Sequence, residues 1–123
     1  MKPFRIAGWS VVLVATALGS MLWAAGKQVT VKGYVIDSSC AFTKDLKKPI
    51  SSDCAVACAR AGSPLVILDD SGTVYWPISG TQPAEGQNAK LMPFAGQRVT
   101  VSGSVYQKGG SRAIVIDNIH GAS

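Results

Sequence analysis

The chain has little with which to perform acid–base or nucleophilic chemistry. Its 123 residues include one histidine and seven acidic side chains. No Ser/His/Asp order, paired-carboxylate signature or phosphate-cradling glycine loop stands in it. Cys-x-x-Cys is missing, which removes the thioredoxin-type dithiol and the zinc ribbon. Without Cys-x-x-Cys-His there is no haem attachment motif either. Asp69 and Asp70 read as turn residues and Asp37 as a cap where a strand ends. Aromatics are scarce at 7%, and Trp76, Tyr75 and Phe94 are expected in the core rather than in a ligand cage. These absences make a catalyst the weaker class.

Charge excludes a second class. Lys and Arg outnumber Asp and Glu by 12 to 7, but they are scattered, with Lys44, Lys47 and Lys48 the one cluster. A nucleic-acid binder presents a basic face interleaved with aromatics. The mild positive balance here reads as a solvated surface, and no nucleic-acid partner is expected.

Lys2 and Arg5 precede an uncharged apolar run from Ile6 to Ala25. A basic start, an apolar core and the small residues Ala24-Ala25-Gly26 have the form of an export signal cleaved before Lys27. The same run is long enough to stay as an inner-membrane anchor, since about 20 apolar residues span a bilayer. Gly8, Ser10, Thr16, Gly19 and Ser20 weaken it as a permanent helix. Residues 1–26 are therefore expected to be a signal peptide or an anchor, and the protein periplasmic, secreted or tethered facing outward. Loss of the leader lowers the formal charge from +5 to +3 and leaves 27–123, enough for one small domain.

Five strands are predicted in that domain. Val29, Val31, Gly33 and Val35 alternate with Thr30, Lys32, Tyr34 and Ile36, the pattern of a half-buried strand. Leu65–Leu68 follows, turns at Asp69-Asp70-Ser71-Gly72 and returns as Thr73–Trp76, stopped by Pro77. Gln97–Tyr106, a turn at Lys108-Gly109-Gly110 and Ala113–Ile119 complete the set. Val29-Thr-Val-Lys-Gly33-Tyr-Val35 is echoed by Val99-Thr-Val-Ser-Gly103-Ser-Val105, and glycine inside a strand marks a bend, a bulge or a close backbone approach. The expectation is mainly β: a small five-stranded OB-like barrel with one short cysteine-bearing helix. That helix is placed at Asp53–Ala61, capped by Ser51 or Ser52 and stopped by Gly62 and Pro64. A weaker turn is read at Asn88–Phe94.

Three cysteines remain to be explained, Cys40, Cys54 and Cys58. In an exported protein cysteines are held as disulfides or metal thiolates, and three cannot all pair within one chain. Cys54 and Cys58 lie one helical turn apart and share a face. Their side chains run nearly parallel, which disfavours a bond between them. A bond from Cys40, expected in the loop after the first strand, to the helix would contribute roughly 3 kcal/mol by loop closure. Cys58 is the expected partner. Cys54, in the first helical turn where free N–H groups stabilise a thiolate, is the expected reactive or metal-touching thiol. The competing reading is a metal site of Cys40, Cys54 and Cys58 for copper, or for zinc with His120 as a fourth ligand. The barrel topology brings His120 to the end bearing Asp37 and Cys40, with one strand between. A leftover thiol also offers a link to a partner protein of the cell envelope. The alternative function is a thiol redox or haem-handling factor.

Gly33-Tyr-Val-Ile-Asp37-Ser-Ser-Cys40, Cys54-Ala-Val-Ala-Cys58 and Gly62-Ser-Pro64-Leu-Val66 together resemble a group of small exported bacterial proteins. Their pattern is a strand ending in Asp-x-x-Cys, a helix with Cys-Ala-x-x-Cys, a Gly-x-Pro turn into a strand and a terminal Val-x-Gly hairpin. The likeness covers most of the mature chain, and it implies export and a shared cysteine site without naming a reaction. Many of that group carry a histidine three residues before the first helix cysteine. Here that position is Ser51, so a metal site built on that histidine is lost while the cysteines stay. A more distant likeness, in the final strands and trailing His120, is to the periplasmic OB-fold haem chaperones. The tyrosine they place after their histidine has no counterpart in Gly121-Ala122-Ser123.

Overall fold

The structure, a computed structural model, describes residues 26–45 and 50–122. Residues 1–25, with nearly all of the expected export signal or anchor, lie outside that range, as do Lys47 and Lys48. Strand β1 (Lys27–Asp37) leads into helices α1 (Ser38–Thr43) and α2 (Ser52–Arg60). Strands β2 (Leu65–Asp69) and β3 (Val74–Pro77) follow, then α3 (Asn88–Leu91) with a 3-10 turn at Met92–Phe94. Strands β4 (Arg98–Lys108) and β5 (Ser111–Gly121) close the chain. The five strands form a closed barrel in the order β1-β2-β3-β5-β4. Every pair is antiparallel except β3 with β5. The expected OB-like barrel is therefore the fold.

The repeated Val-Thr-Val-x-Gly segments pair with each other. Val31 stands opposite Val101, Val29 opposite Gly103 and Gly33 opposite Val99. Each glycine sits where its long strand must bend between two neighbours. A Cβ on Gly33 would collide with the Leu68 carbonyl of β2, and one on Gly103 with the Val115 carbonyl of β5. Beside Gly103, Ser102 pairs with Asn118 and Gly103 with Ile116, so Asp117 is an extra residue in β5. Such a bulge sharpens the local twist that a small barrel needs.

Inward-facing Val31, Val35, Leu65, Ile67, Val99, Val101, Ile114 and Ile116 fill the barrel, with Leu91 of α3 fully buried among them. Phe94 and Tyr75 pack against this cluster, as expected of core aromatics. Trp76 does not join it, and lies half-buried on the outside of the wall. The reason is register: on a short strand alternate residues face opposite sides, and Tyr75 takes the inward place.

Helix α2 begins one residue earlier than Asp53, because Ser51 is the cap: its hydroxyl accepts from Cys54 N–H at 3.2 Å. Cys40 was expected in a loop and instead lies on α1. Six residues are too short for a helical period to be visible in sequence. Asp37, read as a cap, performs that role by accepting from Cys40 N–H at 3.2 Å. Among the described residues no helix is long and apolar enough to cross a membrane.

Candidate thiol site around Asp37

The site is built where β1 leaves the barrel. Asp37 falls in the inward-facing register opposite Leu65 and is 1% exposed, the one buried charged side chain among the described residues. A buried carboxylate is costly unless hydrogen bonds satisfy it. Its partners come from both sides of the helical segment. Cys40 N–H and the Ser63 hydroxyl donate to Oδ2 at 3.2 and 3.4 Å, and the Cys40 thiol bonds to the carboxylate as well.

Local structure sets those donors in place. The C-terminal turn of α2 closes with Ser63 N–H donating to Cys58 C=O at 3.0 Å, which ties Ser63 to the end of α2 that carries Cys58. Ser38 N–H donates to Pro64 C=O at 2.8 Å, joining the start of α1 to the start of β2. Asn88 then pins the corner from outside. Its amide donates to Ala59 C=O and Ser63 C=O at 3.3 and 2.9 Å, and its oxygen accepts from Leu65 N–H at 2.8 Å. Ala55 and Ala59, on the stripe of α2 next to Cys54 and Cys58, are its buried contact. Small residues there let the helix sit close to the barrel.

Burial pushes the Asp37 carboxyl up, but the thiol and N–H of Cys40 and the Ser63 hydroxyl outweigh it and hold the acid below its usual value. The reciprocal effect falls on the thiols. Its bond to Asp37, then burial, then the negative charge of Asp37 push Cys40 up to about 11. Cys58 is pushed up by burial, then by the charge of Asp37 and by its neighbour Cys54. Two thiols from two helices thus respond to one carboxylate. Cys54 is exposed, whereas Cys40 and Cys58 are half-buried, and all three are free thiols here.

Cys40 and Cys58 both feel Asp37 and Cys54, but no two of the three sulfurs stand at disulfide distance. His120 is exposed on β5 opposite Thr100 and stands outside these interactions. Among the described residues no three His, Cys, Asp or Glu side chains form a set that could hold a metal ion as they stand. The residues that sequence reasoning undervalued are Ser63 and Asn88. Ser63 sits in the Gly-Ser-Pro turn, whose spacing was legible although the hydroxyl's target was not. Asn88 acts across 23 to 29 positions, and no local pattern signals that.

No family model, curated protein or solved structure matches this chain. The site is therefore read from its own chemistry. A thiol whose pKa is raised is a poor nucleophile at neutral pH, so Cys40 and Cys58 are not arranged as a resting thiolate pair. Two half-buried thiols on two helices respond to one carboxylate, and the third thiol is exposed.

Proposed function

We propose that this is a non-catalytic exported domain of the cell envelope, whose three-cysteine site closes a structural disulfide between Cys40 and Cys58 and leaves Cys54 free. The observation that carries this reading is that Cys40 on α1 and Cys58 on α2 are both half-buried beside Asp37 while Cys54 alone is exposed. The two sulfurs are not at disulfide distance here, so forming the bond draws α1 and α2 together. On oxidation the two thiols give up two protons and two electrons to the compartment's disulfide-forming oxidant, and a sulfur–sulfur bond replaces them. Asp37 loses the thiol of Cys40 as a donor and keeps Cys40 N–H and Ser63 Oγ, so the buried carboxylate stays bonded. The export-type leader and the likeness to small exported bacterial proteins supply the oxidising setting that this bond requires.

Cys54 is the position through which the domain reaches a soft metal such as Cu(I), or a partner's thiol. It is exposed in the first turn of α2, within reach of solvent and of a partner. Thiol counting on the denatured, unreduced exported protein tests the proposal. One free thiol, at Cys54, is the expected result. Three free thiols that disappear on adding Cu(I) would replace the disulfide by a metal site. Rapid exchange of any of the three with glutathione would make the protein a redox factor.

A further inference from the structure

On the far side of α1 from the thiols, aromatic side chains line the outer barrel wall. Trp76 of β3 pairs with Ala113 of β5, and Ala113 pairs in turn with Tyr106 of β4. Residues paired across neighbouring strands share a face. The row therefore reads large, small, large, with the alanine methyl as floor between two rings. Two strand spacings place the stems of Trp76 and Tyr106 roughly 10 Å apart. A flat ring between them needs about 3.5–4 Å on each side, so the slot fits one such ring. Phe42 of α1 stacks on Trp76 with centroids 6.1 Å apart and planes 27° from parallel, and is itself 67% exposed. Tyr106 is 40% exposed.

Two grooves of about 430 and 370 Å³ meet at this row and share Trp76 and Arg112. Their size is that of small-molecule sites. Lys108 lines the second groove beside Arg112, and among the described residues no acidic side chain lines either one. Stacking surfaces with cations at one end complement a flat ring that carries a negative group.

We propose that the Trp76–Ala113–Tyr106 face is a binding site for a small planar aromatic anion. The ring lies in the slot over Ala113, Phe42 extends the stacking surface, and Arg112 with Lys108 receive the anionic group. The site is separate from the thiols and stands whether or not Cys40 and Cys58 are bonded.

The full chain with Trp9→Phe and Trp23→Phe keeps Trp76 as its one indole, so its fluorescence reports this face. Titration with 2-naphthoate should quench it saturably, and 2-naphthylmethanol, the same ring without charge, should bind at least about fivefold more weakly. Ala113→Leu fills the slot and should abolish saturable quenching. Arg112→Gln combined with Lys108→Gln should bring naphthoate down to the affinity of the alcohol. Tyr106→Ser opens one wall and should also weaken binding, which keeps the test alive if Ala113→Leu does not fold. Equal affinity for acid and alcohol overturns the proposal. So does unchanged naphthoate binding by a folded slot variant. Oligothymidylate displacing naphthoate at lower nucleotide concentration would make the face a single-strand site and overturn the small-ligand assignment.

Discussion

Val31 of β1 and Val101 of β4 stand directly opposite each other at the centre of two antiparallel copies of Val-Thr-Val-x-Gly. Each copy places its glycine against the other's first valine, so the wall bends at two related points. Gly33→Ala and Gly103→Ala should therefore each destabilise the domain by about 3 kcal/mol, the upper end of overpacking costs. The collisions are with backbone carbonyls, which cannot swing away. Gly86→Ala has open space around it and should stay within about 0.5 kcal/mol. Urea denaturation of the three variants gives the comparison.

Asn88→Ala removes three hydrogen bonds that hold the α2–β2 corner and leaves Leu65 N–H without its side-chain acceptor. The expected loss is about 2–3 kcal/mol, which corresponds to a melting temperature lower by roughly 8–20 °C in a domain of this size. Thermal melts followed by circular dichroism read it. A shift of only a degree or two would mean that the corner is held by packing alone.

Reduced protein should lose stability at alkaline pH. The Cys40 thiol titrates at about 11 in the folded chain against an ordinary value of 9.0. With its pKa raised in the folded state, its stabilising contribution is complete below pH 9 and is lost as pH rises toward 11. Cys40→Ser should flatten this slope, and so should oxidation to the disulfide. Denaturation midpoints of reduced and oxidised protein between pH 8 and 11 make the test.

Asp37 gives the opposite dependence. Its carboxyl is held below the ordinary 3.8 by its donors, so its contribution is present above that pH and is lost as pH falls below it. Asp37→Ala removes the cap of α1 and should cost about 1–2 kcal/mol at neutral pH. Asp37→Asn keeps an acceptor for Cys40 N–H and should cost less. Chemical denaturation at pH 7 and pH 3 separates the cap from the charge, because only the charge contribution disappears in acid.

Non-reducing peptide mapping of exported protein should show Cys40 joined to Cys58 and Cys54 alkylated. Reduction of that bond should lower the melting temperature by at least about 10 °C. A Cys40–Cys54 peptide, with Cys58 alkylated, would reverse the roles of the two helix cysteines.

The barrel was legible in sequence because its causes are local. Alternation in the long strands, the Asp-Asp-Ser-Gly and Lys-Gly-Gly turns and the glycines of the echoed segments each act over a few residues. Helix α2 was legible for the same reason, through Ser51, the spacing of Cys54 and Cys58, and Gly62 with Pro64. Tertiary structure alone decided that Cys40 rides on a six-residue helix, which is too short to show a period. It also decided that Asp37 is both cap and thiol partner, that Ser63 and Asn88 brace the corner, and that Trp76 faces outward beside Ala113 and Tyr106. The bracing of the corner by Ser63 and Asn88 and the Trp76–Ala113–Tyr106 row join residues far apart in the chain. The composition of either partner is unremarkable, and only closure of the barrel brings them within bonding or stacking distance.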